Sequence, residues 1–352
     1  MSTAALRDHW PEDHLEHLGE CPVCKSPARE LLFDGLTDIV FRVAPGAWTM
    51  WRCASCRSAY LDPRPDRASI GDAYKSYFTH EESEPAMPSG RLALLRHALG
   101  NGYRNKRFGL KLEPAMVAGA VVAKLLPSAR KAVDIAYRFL PGNGQGRAIL
   151  DIGCGNGSWL ELAREAGWRV HGVEPDPVSS RRAKERGIDV RSDIGELLKE
   201  GARFEYITVS HVIEHVHDPV GMLKACYQLL VPGGVLYIDT PNIDALGLKA
   251  YGRFWPGLDA PRHLVLFNLV GLNRRLCDIG FFETSVRVRA EVLNRLATAS
   301  ERLARGRSAY DESVRIGRLR TGIIERIRET LQPSRSEFVT LTCRRPCRGQ
   351  DG

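Results

Sequence analysis

The chain has 352 residues, of which 43% are hydrophobic and 26% charged, proportions typical of a globular protein that can bury a sizeable core. This length accommodates one large domain with a smaller one, or two modest domains. The formal net charge of +8 permits an anionic partner such as nucleic acid, phosphate or a membrane surface without requiring one, because the arginines scattered through the last third are typical of a solvated helical face.

Two features indicate a protein that is neither exported nor membrane-spanning. The first residues contain no apolar segment of the kind found in signal peptides. The most hydrophobic stretch, AMVAGAVVAKLL at 115–126, is too short to cross a bilayer and contains Lys124. We therefore expect a cytoplasmic protein, in which the nine cysteines serve as metal ligands or buried thiols rather than as disulfides.

Two C-x2-C pairs lie near the amino terminus. After a polar leader at 1–20, the region 21–80 contains CPVC and CASC, separated by twenty-eight residues that include strand-like segments. Four thiolates in this spacing can converge on one tetrahedral zinc ion, since each pair presents two sulfurs across a tight turn. We predict a zinc-ribbon-like module with a structural Zn²⁺ held by Cys21, Cys24, Cys53 and Cys56.

A linker and a helical region occupy 81–146. The stretch EESEPAMPSG is typical of a linker, and the helical patterning that follows it ends at the breaker PGNGQG. From 147 onwards, short apolar runs alternate with amphipathic helical segments, and the last apolar run is SEFVTLTCRR at 336–345. This alternation predicts an α/β fold in a domain spanning 147–345, with a Rossmann-like, doubly wound parallel sheet covered by helices on both faces.

The stretch RAILDIGCGNGSWL contains a glycine-rich turn between a predicted strand and a predicted helix. Its pattern D-x-G-x-G-x-G is formed by Asp151, Gly153, Gly155 and Gly157. The dinucleotide-binding pattern places its third glycine one residue later, and a P-loop requires a lysine that is absent here. Glu174 ends the next predicted strand, where a carboxylate can bind both hydroxyls of a ribose.

The series from 147 to about 290 resembles the class I S-adenosylmethionine-dependent methyltransferases, a family with a Rossmann-like seven-stranded sheet. In that family the glycine loop surrounds the methionine part of the cofactor. The resemblance implies that the loop and Glu174 bind S-adenosylmethionine, with Glu174 on the ribose. It also implies that Asp193 binds the adenine amino group and that Ile194 contacts the adenine ring. The residue pattern alone leaves open that Asp193 caps a helix instead.

Methyl transfer to an acceptor that carries a proton requires a base, and the stretch SHVIEHVHDP contains candidates for it. His211, Glu214 and His215 fall at i, i+3 and i+4 and so share one face of a helical turn. We predict His215 as the general base, Glu214 as the carboxylate that orients it, and His211 as a backbone contact to the cofactor. Similar EHV stretches in quinone O-methyltransferases hold a divalent metal, although His211 departs from their acidic first position. Purely structural capping is a further alternative.

A second stretch, AYGRFWPGLDAPRHLVLFN at 250–268, concentrates charged and aromatic residues between Gly and Pro. Its composition predicts a lid over the substrate, in an insertion spanning about 245–268. His263 is a second candidate base, and Arg262 is a candidate clamp for a carboxylate or phosphate of the acceptor. An exposed surface turn is the alternative interpretation.

Zinc-ribbon modules precede methyltransferase domains in two groups that this chain resembles. One comprises sugar C-methyltransferases with relatives from polysaccharide clusters, and the other comprises ribosomal-RNA base methyltransferases. The stretch RSAYLDPRPDRASIGDAYKSYF is similar to the first group. We therefore expect O- or C-methylation of a small molecule or sugar, in polysaccharide or secondary-metabolite biosynthesis, with an RNA base as the alternative acceptor. The Arg-rich helical insertion at about 291–335 is expected to shape the acceptor pocket, to dimerise or to contact an anionic surface.

Overall fold

The structure is a computed structural model that describes residues 9–74, 90–289, 292–310 and 331–347. The strands in chain order are β1 (Leu15–Glu16), β2 (Arg29–Leu36), β3 (Trp48–Cys53), β4 (Ala59–Leu61), β5 (Arg64–Pro65), β6 (Ala148–Ile152), β7 (Arg169–Val173), β8 (Asp189–Arg191), β9 (Phe204–Ser210), β10 (Leu230–Pro241), β11 (Val265–Leu266), β12 (Phe282–Val286) and β13 (Phe338–Arg344). The α-helices are α1 (Arg91–Phe108), α2 (Gly119–Leu125), α3 (Pro127–Ala136), α4 (Ser158–Glu165), α5 (Pro177–Glu185), α6 (Ile194–Lys199), α7 (Pro219–Leu229), α8 (Leu246–Tyr251), α9 (Leu269–Ile279) and α10 (Leu293–Ala304).

A seven-stranded, mostly parallel sheet carries the predicted Rossmann-like architecture. Its order is β12-β13-β10-β9-β6-β7-β8. β6 pairs in parallel with β7 on one side and with β9 on the other, so that Asp151 lies opposite both Gly172 and Thr208. The α/β prediction is therefore confirmed, and the last predicted strand is confirmed as β13.

Local sequence explains why this sheet forms where it does. All five residues of β6 are buried, which accounts for its almost unbroken apolar run in place of an alternating pattern. The helix after it, α4, buries Leu160 and Ala163 on one face. The helix after β7, α5, is capped by Asp176, whose side chain accepts a hydrogen bond from the Ser179 N–H.

The segments around the cysteine pairs form a second sheet with the order β11-β4-β3-β2. β4 pairs with β3 and also with β11, a strand that lies about two hundred residues later in the sequence. The predicted leader is folded from Trp10 onwards, since this side chain is buried and its ring centroid lies 5.5 Å from that of Trp48. Residues 21–80 are therefore not the whole of their folding unit.

The described residues form two compact units. One groups those up to residue 74 with Ser210–Tyr227 and the described part of Ile238–Cys343. The other groups 90–209 with Gln228–Tyr237 and the described residues from Arg344 onwards. The cysteine pairs and the candidate bases belong to the first unit, and the glycine loop with Glu174 belongs to the second.

Two further predictions concern helices. The Arg-rich insertion is represented by α10, whereas 311–330 lie outside the described residues, so its expected roles stay predictions. No helix in the described part of the chain is long and apolar enough to cross a membrane.

Candidate functional site

The glycine loop that follows β6 contains three residues in the left-handed backbone conformation. Gly153, Gly155 and Gly157 have φ angles of +71°, +55° and +81°, which side chains rarely adopt. A Cβ at Gly157 would lie 2.3 Å from the Ile188 side chain, so this glycine packs the loop against its own unit. A Cβ at Gly155 would meet nothing within 4 Å, so this glycine borders open space that a ligand can approach.

Glu174 lies directly after β7 and is tied to the glycine loop. Its Oε2 accepts a hydrogen bond of 2.8 Å from the Gly155 N–H, and its Oε1 accepts one of 2.9 Å from the Asp176 N–H. Burial raises the pKa of this carboxyl above its usual range, although the two N–H groups act in the opposite direction. Each oxygen keeps a further acceptor position, so a fixed carboxylate is available for two hydroxyl donors.

Asp151 is buried beside the loop and is held by Arg138, a residue that the sequence analysis missed. The guanidinium of Arg138 and the Thr208 hydroxyl both donate to Oδ1, while Oδ2 is buried with no hydrogen-bond partner among the described residues. Burial raises the pKa of Asp151, with Arg138 opposing the shift. Arg138 also lies over the Trp159 ring, 4.0 Å from its centroid. No local motif marks Arg138, because it reaches Asp151 only through the tertiary fold.

Asp193 and Ile194 lie at the start of α6 rather than at the end of a strand. The Asp193 side chain accepts a hydrogen bond of 2.7 Å from the Gly195 N–H, and Glu196 completes a capping box. The helix-capping interpretation is therefore confirmed. Since capping uses one carboxylate oxygen, the other remains an acceptor, and the adenine contact of both residues stays a prediction.

His211 lies between two buried carboxylates. Its Nδ1 is 3.5 Å from Glu214 Oε1, and its Nε2 is 3.3 Å from Asp239 Oδ2. The His211 side chain is 44% exposed, and the desolvation of its ring opposes protonation, but these two carboxylates outweigh it and raise its pKa to about 9. Arg289 and the Thr340 hydroxyl also donate to Asp239. The sequence analysis missed Asp239, which comes from the end of β10.

Glu214, His215 and His263 come together in the first unit. Their ligand-type atoms lie within 4.8 Å of one another, and the two imidazole centroids are 4.7 Å apart. The two candidate bases are therefore neighbours rather than alternatives. The predicted helical face is only partly correct, because Ile213–His215 form a 3-10 turn and His211 precedes it with a φ of +54°.

The hydrogen bonds at Nδ1 differ between the two histidines. His263 Nδ1 lies 2.8 Å from the Gly257 carbonyl oxygen, which only accepts, so this Nδ1 carries the proton and Nε2 presents a lone pair. His215 Nδ1 lies 3.0 Å from the Arg262 carbonyl oxygen and 2.9 Å from the Tyr74 hydroxyl, and donation to the carbonyl places the lone pair of His215 on Nε2. Burial, with a further contribution from His263, lowers the pKa of His215 to about 4. His215 is therefore neutral near pH 7, and Glu214 acts in the opposite direction by favouring its protonated form.

Glu214 completes this trio as a fully buried carboxylate. Its Oε2 accepts a hydrogen bond of 2.8 Å from the Thr240 hydroxyl, and its Oε1 faces His211 Nδ1 at 3.5 Å. Burial opposes ionisation, but His211 and the neighbouring histidines lower the pKa of Glu214 to about 2. One carboxylate and two imidazole nitrogens with carbonyl-bound Nδ1–H groups also form a donor set that can hold a divalent transition metal.

Arg262 does not have the predicted role of an acceptor clamp. Its guanidinium is fully buried and donates all five N–H groups, to both oxygens of Asp38, both oxygens of Asp259 and the Ala73 carbonyl. It also lies 4.6 Å from the centroid of the Phe41 ring. With no N–H left for a ligand, Arg262 is a structural residue that holds the backbone between Asp259 and His263.

The second part of the stretch predicted as a lid is buried in this structure, whereas Lys249, Ala250 and Arg253 are exposed. Every residue from Trp255 to Asn268 is buried, and β11 within it pairs with β4. The clustering of charged and aromatic residues here reflects packing and the Arg262 ion pairs, together with the one candidate base, His263.

The two cysteine pairs form matching turns, one over residues 21–26 and the other over 53–58. In each turn the N–H of the first cysteine donates to the carbonyl of the serine five residues later, at 2.9 Å in both cases. The basic residue after the second cysteine has a φ of +63° in one turn and +62° in the other. The two pairs are therefore repeats of one local structure, as two zinc knuckles would be.

The four sulfurs are arranged as a tetrahedral metal site requires. Cys21 lies 3.6 Å from Cys56 and Cys24 lies 3.5 Å from Cys53, and all four sulfurs are within 4.8 Å of one another. Zinc bound to four thiolates at about 2.3 Å places its sulfur pairs about 3.8 Å apart. Hydrogen bonding with Cys21 lowers the pKa of Cys56 to about 4, while the pKa of Cys21 is raised. A cation would let all four ionise together.

Comparison with known proteins shows which family part of the chain resembles. Residues 127–285 match the family described as a methyltransferase domain, so the match begins at α3, the helix that precedes Arg138. The ubiquinone biosynthesis O-methyltransferase of Actinobacillus pleuropneumoniae is 34% identical over 118 residues, which are 30% of this chain and 49% of that protein. A probable S-adenosylmethionine-dependent methyltransferase of Mycolicibacterium smegmatis is 31% identical over 154 residues, or 42% of this chain and 57% of that protein.

The chain thus spans about half the length of the curated relatives that it matches. Among solved structures, a SAM-dependent methyltransferase from Archaeoglobus fulgidus aligns with 64% of this chain and 98% of its own, at 21% identity and a TM-score of 0.43. The match at 127–285 and the seven-stranded sheet agree with each other. Residues 127–285 are thus similar to a methyltransferase domain, and the seven-stranded sheet has the fold of the class I methyltransferases.

Proposed function

We propose that the protein transfers a methyl group from S-adenosylmethionine to a hydroxyl of a small-molecule acceptor. The observation that carries this proposal is the pairing of His215 and His263 beside Glu214, with the Nδ1 of each imidazole next to a backbone carbonyl oxygen. O-methylation requires removal of a hydroxyl proton, and a neutral imidazole is the side chain best suited to that near pH 7. The printed names of two groups of relatives, O-methyltransferase and S-adenosylmethionine-dependent methyltransferase, support this reaction class.

The residues of the glycine loop fit the cofactor. Glu174 would bind the two ribose hydroxyls through its remaining acceptor positions, and the open space at Gly155 would admit the methionine part. The unpartnered Oδ2 of Asp151 is an acceptor for a donor group of the ligand. When bound, S-adenosylmethionine supplies an electrophilic methyl group on its sulfonium. Asp193, Ile194 and the His211 backbone are the further cofactor contacts that we propose.

In this mechanism His215 Nε2 takes the proton of the acceptor hydroxyl. The ionised Glu214 beside it stabilises the imidazolium that results, since opposite charges attract strongly away from water. His263 has a second lone pair in the same cluster. It would either assist His215 in taking the proton or take the proton in its place. The Arg262 carbonyl keeps His215 in the required tautomer, and the Tyr74 hydroxyl lies 2.9 Å from the same Nδ1.

The experiment combines methyl-labelled cofactor with fractionated lysate, followed by variants in the fraction that takes label. His215→Ala should lower turnover by roughly 10²- to 10⁴-fold, the range for loss of a general base. His17→Ala, at an exposed position, should not change it. Wild-type turnover should stay level near pH 7 and fall as the pH approaches 4, where His215 becomes protonated. Full turnover by His215→Ala and His263→Ala would contradict the proposed base.

The same trio favours a second role, in which Glu214, His215 and His263 hold a divalent cation that polarises the acceptor oxygen. Dialysis against a chelator separates the two roles when zinc is returned to the cysteine site afterwards. Turnover that recovers with zinc alone supports the base, whereas turnover that recovers only after Mg²⁺ or Mn²⁺ is also added supports the cation. A sugar hydroxyl is one acceptor within the proposed class. An RNA acceptor stays a sequence-based prediction that salt-dependent RNA binding would support.

We also propose that Cys21, Cys24, Cys53 and Cys56 hold a structural zinc ion, on the grounds of their matched turns and sulfur spacing. With four protein ligands the ion would have no open position for a substrate. Its contribution would be to the stability of the first unit.

A further inference from the structure

Exposed apolar side chains are concentrated in one short part of the described chain. Of the fifteen large hydrophobic side chains that are exposed, eight lie between residues 92 and 126. These eight are Leu92, Leu94, Leu95, Met116, Val117, Val121, Leu125 and Leu126. Single exposed hydrophobics are ordinary, but exposed apolar side chains concentrated in one segment are typical of an interaction surface. The proposed methyl transfer makes no use of it.

The packing of α2 shows that this apolar face points away from the protein. Gly119 and Ala123 face α1, and the contact is close, since a Cβ at Gly119 would lie 1.9 Å from the Leu99 carbonyl oxygen. Val121 and Leu125 lie two residues further on, about 200° around the helix. Leu125 is 74% exposed, and Val117 just before the helix is 92% exposed. The outer face of α2 is thus an apolar stripe with a four-residue spacing.

The same segment is strongly basic. Residues 91–126 contain seven Lys and Arg against one Glu, a net charge of +6. Arg91 and Arg96 flank the exposed leucines of α1, Lys124 precedes Leu125, and all three are exposed.

We propose that the α1–α2 segment, residues 91–126, binds the surface of an anionic lipid bilayer. Apolar side chains that enter the headgroup region, flanked by Lys and Arg that meet acidic headgroups, are the features of a helix that lies on a membrane. A second copy of the chain fits less well, because two faces of the same strong positive charge repel each other. Nucleic acid would account for the charge but not for the exposed leucines and valines.

Vesicle co-sedimentation tests this proposal without cofactor or acceptor, so its outcome is independent of the methyltransferase assignment. The full chain should sediment with phosphatidylcholine vesicles that contain phosphatidylglycerol, and less with phosphatidylcholine alone or at high salt. Val121→Glu with Leu125→Glu should weaken binding by roughly tenfold or more, since two buried apolar side chains are lost from the interface. Val270→Glu, at a 71% exposed position on α9, is the matched control and should bind as the wild type does.

A second pair of variants tests the contribution of positive charge to membrane binding. Lys124→Glu should weaken binding to the anionic vesicles, whereas Lys199→Glu, an exposed lysine at the end of α6, should not. Thermal unfolding confirms that each variant is folded. The proposal is overturned if the folded wild type does not bind the vesicles, or if the α2 variants bind equally well. It is also overturned if those variants instead convert a dimer into a monomer with vesicle binding unchanged.

Discussion

At the scale of single residues, Arg262 shows how a buried charge can be satisfied completely. Its partners come from a nearby turn, Asp259, and from a position more than two hundred residues earlier, Asp38. Burial opposes ionisation of Asp38, yet Arg262 lowers its pKa to about 2. The pair therefore ties the loop before His263 to the segment after β2. Removing one partner would leave an uncompensated buried charge.

We predict that Asp38→Asn lowers the free energy of unfolding by about 3–5 kcal/mol, the range for breaking a buried ion pair. Asn preserves the size of the side chain, so the loss reports on the charge. The matched control is Glu20→Ala, which removes the exposed Lys25–Glu20 pair and should cost about 0–1 kcal/mol. Denaturant unfolding measures both, and equal losses would contradict this account of Arg262.

The protonation of His211 should make stability depend on pH. Its folded pKa of about 9 is above the unfolded value of 6.5, so the protonated form is favoured by folding. The resulting stabilisation is complete below pH 6.5 and is lost as the pH rises through 9. We expect the free energy of unfolding to fall across this window in the wild type, and His211→Gln to remove that part of the pH dependence. The same slope in both proteins would show that another group titrates.

The buried carboxyl of Asp239 should make the free energy of unfolding depend on pH in the opposite direction at low pH. Asp239 is buried, but His211 and Arg289 lower its pKa to about 2 from the usual 3.8. Its stabilisation is therefore present above pH 3.8 and is lost as the pH falls through 2. Stability should be greatest between these two windows.

At the scale of elements, the glycine loop offers a matched pair of substitutions. Both Gly155→Ala and Gly157→Ala place a Cβ on a left-handed residue, at a cost of about 1–2 kcal/mol. Only the Cβ at position 157 meets a packed neighbour, so Gly157→Ala should be the more destabilising. Gly155→Ala should instead weaken cofactor binding, because its methyl group enters the open side of the loop. Thermal unfolding and calorimetric titration distinguish the two effects, and reversed effects would contradict this description.

The cysteine turns give the second prediction at this scale. Purified protein should contain zinc, and Cys24→Ser should lose it and lower the thermal midpoint by roughly several degrees. Cys277→Ser changes an exposed thiol outside the cluster and should retain both zinc and stability. Metal analysis with thermal unfolding measures this. Protein that lacks zinc yet unfolds at the same temperature as the zinc-loaded protein would rule out a structural ion.

Comparison of sequence and structure shows which elements local patterns can predict. The strands and helices from β6 to α7 follow from apolar periodicity, and the turns around Cys21 and Cys53 follow from cysteine spacing. Arg138 and Asp239 could not be found in this way, since each reaches its partner across the fold. The assignment of Arg262 as a clamp was wrong because one of its two acidic partners, Asp38, lies more than two hundred residues earlier and leaves no mark in the local sequence.

At the scale of the whole molecule, sequence order and spatial grouping diverge. Pattern analysis divides the chain at 80 and 146, whereas the first compact unit combines the cysteine segments with residues from the last third. The pairing of β4 with β11 is the physical reason, since strands that are distant in the sequence can pair in the folded protein.

The most direct test of the account is calorimetric titration of the folded, zinc-loaded protein with S-adenosylmethionine and with its demethylated product. We predict saturable binding of both, because the glycine loop and Glu174 form a preorganised cofactor site. Glu174→Ala should weaken binding by about 1–3 kcal/mol, or roughly 5- to 150-fold, through loss of hydrogen bonds to a charged group. Glu185→Ala, exposed at the end of α5, should bind normally. No detectable heat with either compound would contradict the methyltransferase assignment, and unchanged affinity in Glu174→Ala would contradict the ribose contact.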